Sequence, residues 1–275
     1  MPSLEIIVED LNALKEEEIH SEFRLFLTSM PADYFPVSIL QNGIKLTTEP
    51  PRGIKANMRR AFNDMTQEFL DSCAKPVVFH KLLWGLSFFH SLILERRKFG
   101  PLGWNIKYEF NDSDLATSKT VLQMLLNEGE ESGKKGENVP WDALLFVTGH
   151  INYGGRVTDD WDRRLLLSIL RKFYVPEVLA EEKYQFSESE SYLIPGLARI
   201  EDYREMIEGL PIVDDPEVFG LHENANINYQ AQESEKIVQT VLSIQPKIGS
   251  RFIKNTKYLT NLFILLVLEA SQVTK

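Results

Sequence analysis

Between Pro76 and Lys98 the sequence leaves a helix almost no polar side. Phe79, Leu82, Leu83, Leu86, Phe89, Leu92 and Ile93 recur at helical spacing, and Val77, Val78, Trp84 and Phe88 fill the positions between them. A helix that is apolar all round has to be covered on several sides, so this stretch predicts a central helix with other elements packed about it. The material for such a core is present, because 43% of the 275 residues are hydrophobic, enough for one large domain or two modest ones. The same stretch carries His80, Lys81, Ser87, His90 and Ser91, which reads as too polar for a membrane span. The run Leu262–Leu268 is far shorter than the roughly 20 residues a span needs. The central helix ends in Glu95-Arg96-Arg97-Lys98, whose cations suit the negative end of a helix.

The surrounding sequence is mainly helical as well. Leu4, Ile7, Val8 and Leu11 mark an N-terminal helix. Phe23–Ser29 then predicts a strand with Phe23, Leu25 and Leu27 on one side, and Asn42-Gly43 a small hairpin or an irregular segment. Ile54, Met58, Phe62 and Phe69 form the next apolar stripe. Asp112 or Ser113 is placed to cap a helix bearing Leu115, Leu122 and Leu126. Gly154 and Gly155 mark a tight turn. Thr158 then caps a helix with acids in its first turn and Trp161, Leu165, Ile169 and Phe173 on its buried face. Glu181–Pro195 reads as polar and irregular. Ile200, Tyr203 and Ile207 give a short helix closed by Gly209. A last helix holds Ile237, Val238, Val241 and Leu242. The fold class is mainly α, a helical bundle with a short β-containing remnant at the N-terminus.

Charge and motif content narrow the chemistry. Thirty basic against forty acidic residues give a net charge of −10, which argues against a nucleic acid or an anionic membrane as partner. The one cysteine, Cys73, allows neither an intrachain disulfide nor a multi-cysteine zinc site and fits a reducing compartment. Met1–Asp10 carries acids where a signal peptide carries bases. None of the five histidines pair at H-x-x-x-H spacing, so no metal site is expected; His80 and His90 read as core residues. Neither phosphate-cradling glycine motif occurs, and Gly133-Lys134-Lys135-Gly136 lacks the strand and hydroxyl that one needs. The sequence therefore predicts no cofactor site and no catalytic residue of its own. Asp159, Asp160 and Asp162 admit two readings: catalytic carboxylates of a hydrolase, or a charged helix start linked to Arg156 and Arg163.

Several strings are more specific than these patterns. FRLFLTS at residues 23–29, EPPRG at 49–53, ERRKFGPLGWN at 95–105, YGGRVTDDWDRR at 153–164 and VFGLHENANI at 218–227 resemble dynein heavy chains, axonemal rather than cytoplasmic, in the same order. The likeness runs from about Pro2 to Lys247. It implies a fragment of an ATP-driven, minus-end-directed microtubule motor: residues 1–48 as the end of the sixth AAA+ large subdomain, 49–215 as its helical lid, and 216–247 as the start of the C-terminal domain. Residues 248–275 depart from the family, and both a tail of non-coding origin and an authentic helix covering the lid fit them. The resemblance implies a non-catalytic lid that couples motions around the ring, with ATP and magnesium bound elsewhere in the parent motor. It implies as partners the neighbouring AAA+ modules and C-terminal domain, and, through the parent, intermediate and light chains and microtubules. It implies a cytoplasmic, cytoskeletal location in the axoneme of a cilium or flagellum. The residues expected to carry the structural and coupling role are Arg97, Gly100, Trp104, Gly154, Gly155, Arg156, Asp159, Asp160, Trp161, Asp162 and Arg163, with Trp104 and Trp161 as core anchors. A free-standing helical interaction module, using the last helix and the tail, is the alternative class.

Overall fold

The computed structural model of the chain describes residues 2–14, 19–29, 35–46, 50–131 and 139–244. It divides into two compact units, Met1–Pro50 and Pro51–Lys275. In the first, helices α1 (Pro2–Ala13) and α2 (Val37–Asn42) touch each other. Residues 23–29 are not a strand: a strand persists only within a ladder, and the ladder among the described residues pairs 184–185 with 193–194 and does not include them. Phe26 is accordingly 83% exposed. Asn42-Gly43 does not form a hairpin either, because the Gly43 amide donates to the Ile39 carbonyl at 3.0 Å and closes α2.

The second unit is built around α5 (Pro76–Glu95), which starts with proline where a helix has amides to spare. Sixteen of its twenty residues are buried, so it needs cover on every side. That cover comes from α3 (Ile54–Asn63), α4 (Gln67–Asp71), α6 (Asp112–Glu131), α8 (Asp160–Leu170) and α9 (Glu177–Ala180). A short antiparallel ladder of β1 (Tyr184–Gln185) and β2 (Leu193–Ile194) also packs on it, inside the stretch expected to be irregular. Between α6 and α8 run α7 (Trp141–Leu145) and a π-helical turn, Phe146–Asn152; α10 (Ile200–Glu208) then lies on α3. The described residues close with α11 (Asn224–Ile244). Each large apolar side chain buried this way contributes about 1.5–3 kcal/mol.

Most polar residues of α5 find partners within the body, while Ser87 Oγ and His90 Nε2 are buried without a hydrogen-bond partner among the described residues. His80 sits 3.1 Å from the Tyr203 hydroxyl and 3.2 Å from the Leu70 carbonyl. The Lys81 ammonium donates to the carbonyls of Val178 and Glu181, and the Trp84 indole to Leu193 at 3.0 Å. Pro76–Leu102 does have the length and hydropathy of a membrane span, contrary to the sequence expectation, but 83% of its most apolar window is buried in the protein. Two caps also differ from expectation. Asn111, not Asp112 or Ser113, exchanges bonds with Asp114 at the start of α6. Asp159, not Thr158, caps α8, because its carboxylate reaches the Trp161 and Asp162 amides. Gly133–Gly136 and the tail 248–275 lie outside the described residues.

Candidate functional site

The elements expected to matter meet where α5 ends. A 3-10 turn, Arg96–Leu102, follows α5, with Gly100 at φ 56° reversing the chain. Gly103 has a steric reason to be glycine: a Cβ there would lie 1.9 Å from the Arg96 carbonyl oxygen. The tight turn lets the buried Arg96 guanidinium donate to the Gly103 carbonyl through Nε (3.2 Å) and Nη2 (3.0 Å), and to the Phe219 carbonyl through Nη1. It also lies 5.5 Å from the Trp104 ring centroid. Burial pulls the Arg96 pKa down to about 10, partly offset by the Asp162 charge, so the group stays cationic at neutral pH. Trp104 is buried and its indole donates to the Ile93 carbonyl at 3.1 Å.

Asp162 fixes the other side of this turn. Its carboxylate is 2% exposed and accepts from the Asn105 amide (3.1 Å), the Ile106 amide (3.2 Å) and the Tyr108 hydroxyl (2.9 Å). Asp159 accepts from the Asn105 side chain at 3.2 Å while capping α8. Those bonds, the Asp162 amide first among them, hold its carboxyl below the usual carboxylate range. Both carboxylates are therefore committed to Asn105 and its loop. Asp160 is not part of this arrangement: its side chain is 90% exposed, with Arg163 at 3.7 Å.

The remaining expected residues separate in the same way. Arg156 pairs with Asp114 of α6 at 2.8 Å, not with the aspartates of α8. Arg163 donates to the Val157 carbonyl at 2.8 Å. The turn rests on Gly154 alone, where a Cβ would stand 2.3 Å from the Gly149 carbonyl oxygen; a Cβ at Gly155 would meet nothing. Trp161 is not a core anchor. It is 71% exposed beneath the Arg164 guanidinium, because the buried stripe of α8 is Asp162, Leu166, Ile169 and Leu170, one position further on. Arg97 is exposed and makes no hydrogen bond or ion pair with the described residues, while its neighbour Arg96 is the buried one. Sequence reasoning missed Arg96, Gly103, Tyr108 and Asp114. Arg96 had a signal, since the spacing Phe89, Ile93, Arg96 continues the inward face of α5.

Chemically, this is a brace. Its carboxylates are filled by donors from the chain, and among the described residues no three His, Cys, Asp or Glu stand together to hold a metal. Comparison with known proteins matches the same residues. A family profile described as "Dynein heavy chain AAA lid domain" covers residues 79–225, and one described as "Dynein heavy chain region D6 P-loop domain" covers residues 1–47. Dynein axonemal heavy chain 6 of Homo sapiens is 47% identical over 232 residues, 84% of this chain and 5% of that protein. Dynein axonemal heavy chain 3 of Mus musculus is 50% identical over 250 residues, 90% of this chain and 6% of that protein. Dynein axonemal heavy chain 1 of Mus musculus is 48% identical over 251 residues, 91% of this chain and 6% of that protein. The chain thus spans only 5–6% of the length of these relatives.

Proposed function

The chain belongs to the dynein heavy chain family, and from that premise we propose that the body from Pro51 to Ile244 works as a non-catalytic AAA+ lid of a microtubule motor. It passes rigid-body shifts between neighbouring ring modules, while ATP is bound with magnesium and hydrolysed elsewhere in the parent motor. The match of residues 79–225 to the lid domain carries this reading. The packing supports it, since a module transmits displacement only when its interior does not yield, and α5 is enclosed on all sides. The brace supports it further: Arg96, Asp159 and Asp162 tie the end of α5 to the start of α8. A shift imposed on one is then felt by the other.

The partners proposed are the adjoining AAA+ modules and C-terminal domain, with intermediate chains, light chains and microtubules reached through the parent. The setting is the axoneme, as in the names of the relatives. The test is an ATPase and microtubule co-sedimentation assay on the purified chain. Turnover and pelleting at the level of protein-free controls are expected. Sustained, magnesium-dependent hydrolysis by this chain would overturn the reading.

A further inference from the structure

Two residues beyond Arg96, the Lys98 ammonium occupies a cage. Its Nζ lies 5.0, 4.9 and 5.6 Å from the ring centroids of Phe99, Phe219 and Tyr229. It is also 3.1 Å from Glu95 and 3.8 Å from Asp214. Its side chain is 17% exposed, and the two carboxylate side chains are 10% and 2% exposed, so water screens little of this attraction. These groups come from three parts of the chain: the end of α5 with its turn, the segment 214–219, and α11. Asp214 also accepts from the Ile54 amide at 3.1 Å, which ties the cage to the start of α3. Burial pushes the Asp214 carboxyl pKa up, and Lys98 is the cation that opposes this.

Phe219 is held twice, its carbonyl by Arg96 and its ring by Lys98. The chain then turns through Gly220, at φ 70°, into α11. Among the described residues, the side-chain contacts of that helix with the body come from its first half. Ala225 is buried, the Asn226 side chain donates to the Asp214 carbonyl at 3.4 Å, and Tyr229 closes the cage. An exposed Arg52–Glu233 pair at 3.5 Å adds little. From Lys236 onward the side-chain bonds among described residues stay within α11, and Ile237, Val241 and Ile244 are exposed.

We propose that Lys98 is the clasp that holds α11 to the helical body, a positioning residue about which the helix is fixed at one end. One ammonium satisfies three rings and two nearly dry carboxylates, so losing its charge removes the attraction on α11 and leaves Glu95 and Asp214 facing each other without a cation. As a route for motion into α11 the clasp rests on the lid reading; as an attachment it does not. Hydrogen exchange measured on the full 275-residue chain tests the attachment and involves no ATPase or microtubule assay, so either idea can fail alone. Lys98→Gln is expected to lower protection over residues 224–233 about tenfold while α5 and α6 amides keep theirs. Lys98→Arg is expected to restore most of it, because a guanidinium also stacks on aromatic rings. Tyr229→Leu removes the ring on the α11 side without touching the carboxylates, and is expected to reproduce the local loss even if Lys98→Gln does not fold. Unchanged protection over 224–233 in Tyr229→Leu, or a loss spread equally through α5 and α6, would overturn the proposal.

Discussion

α5 and α11 are nearly equal in length, 20 and 21 residues, and are held in opposite ways. α5 buries sixteen residues, whereas α11 buries one, Ala225. The first is fixed by cover on all its faces and cannot shift without opening a void. Among the described residues, the second is held through its first half by a few polar and aromatic contacts, and Ile237, Val241 and Ile244 are exposed. Length and helical pattern therefore say little about how firmly a helix is anchored. The number of faces it buries, and where its attachments lie along it, say much more.

Core truncation gives the largest expected contrast. Phe89 is fully buried against Tyr153 and Phe173, so Phe89→Ala is expected to cost about 3–5 kcal/mol in urea denaturation. Val241→Ala on α11 is expected to stay within about 0.5 kcal/mol. Equal costs at the two sites would break the comparison.

Within α8 the same contrast recurs two residues apart. Asp162→Ala leaves two amides and the Tyr108 hydroxyl without their acceptor and is expected to cost about 2–3 kcal/mol. Asp160→Ala at the exposed position is expected to cost less than about 0.5 kcal/mol by the same measurement.

A smaller effect sharpens the description of α5 itself. His90 lies 3.0 Å from the Tyr153 hydroxyl, and burial lowers its pKa from 6.5 to about 4. The folded state thus favours the neutral ring. Above pH 6.5 both states are neutral and stability is full. Below it the unfolded chain takes up the proton first, so stability falls until the folded ring also titrates near pH 4. Relative to His90→Gln, the wild type is expected to lose about 2 kcal/mol between pH 7.5 and pH 5, read from denaturation curves at the two pH values.

Much of this was legible in the sequence, for physical reasons. A helix with no polar side has one way to be stable, so the place of α5 followed from Phe79 to Ile93. The dynein-like strings led to the lid family. The brace was legible only in part. Asp159, Asp162 and Trp104 stand out by type and position, but whether a side chain faces in or out changes with a single residue of register. That is how Trp161, next to the buried Asp162, was expected in the core, and Arg97 was expected where Arg96 does the holding. The strand expected at 23–29 is absent because alternation predicts the faces a strand would have and does not encode a ladder. The Lys98 cage depends on contacts between segments up to about 130 residues apart in sequence, such as Lys98 with Tyr229, which no local pattern encodes.

As proposed above, this body passes on movement made elsewhere through the brace between α5 and α8. The most direct test is microtubule gliding by a chimera in which residues 51–244 replace the matching segment of human dynein axonemal heavy chain 6. The chimera is expected to move microtubules, and the same chimera with Asp162→Ala, still binding nucleotide and microtubules, is expected to move them at a small fraction of that speed. Equal gliding speeds for the two would contradict it.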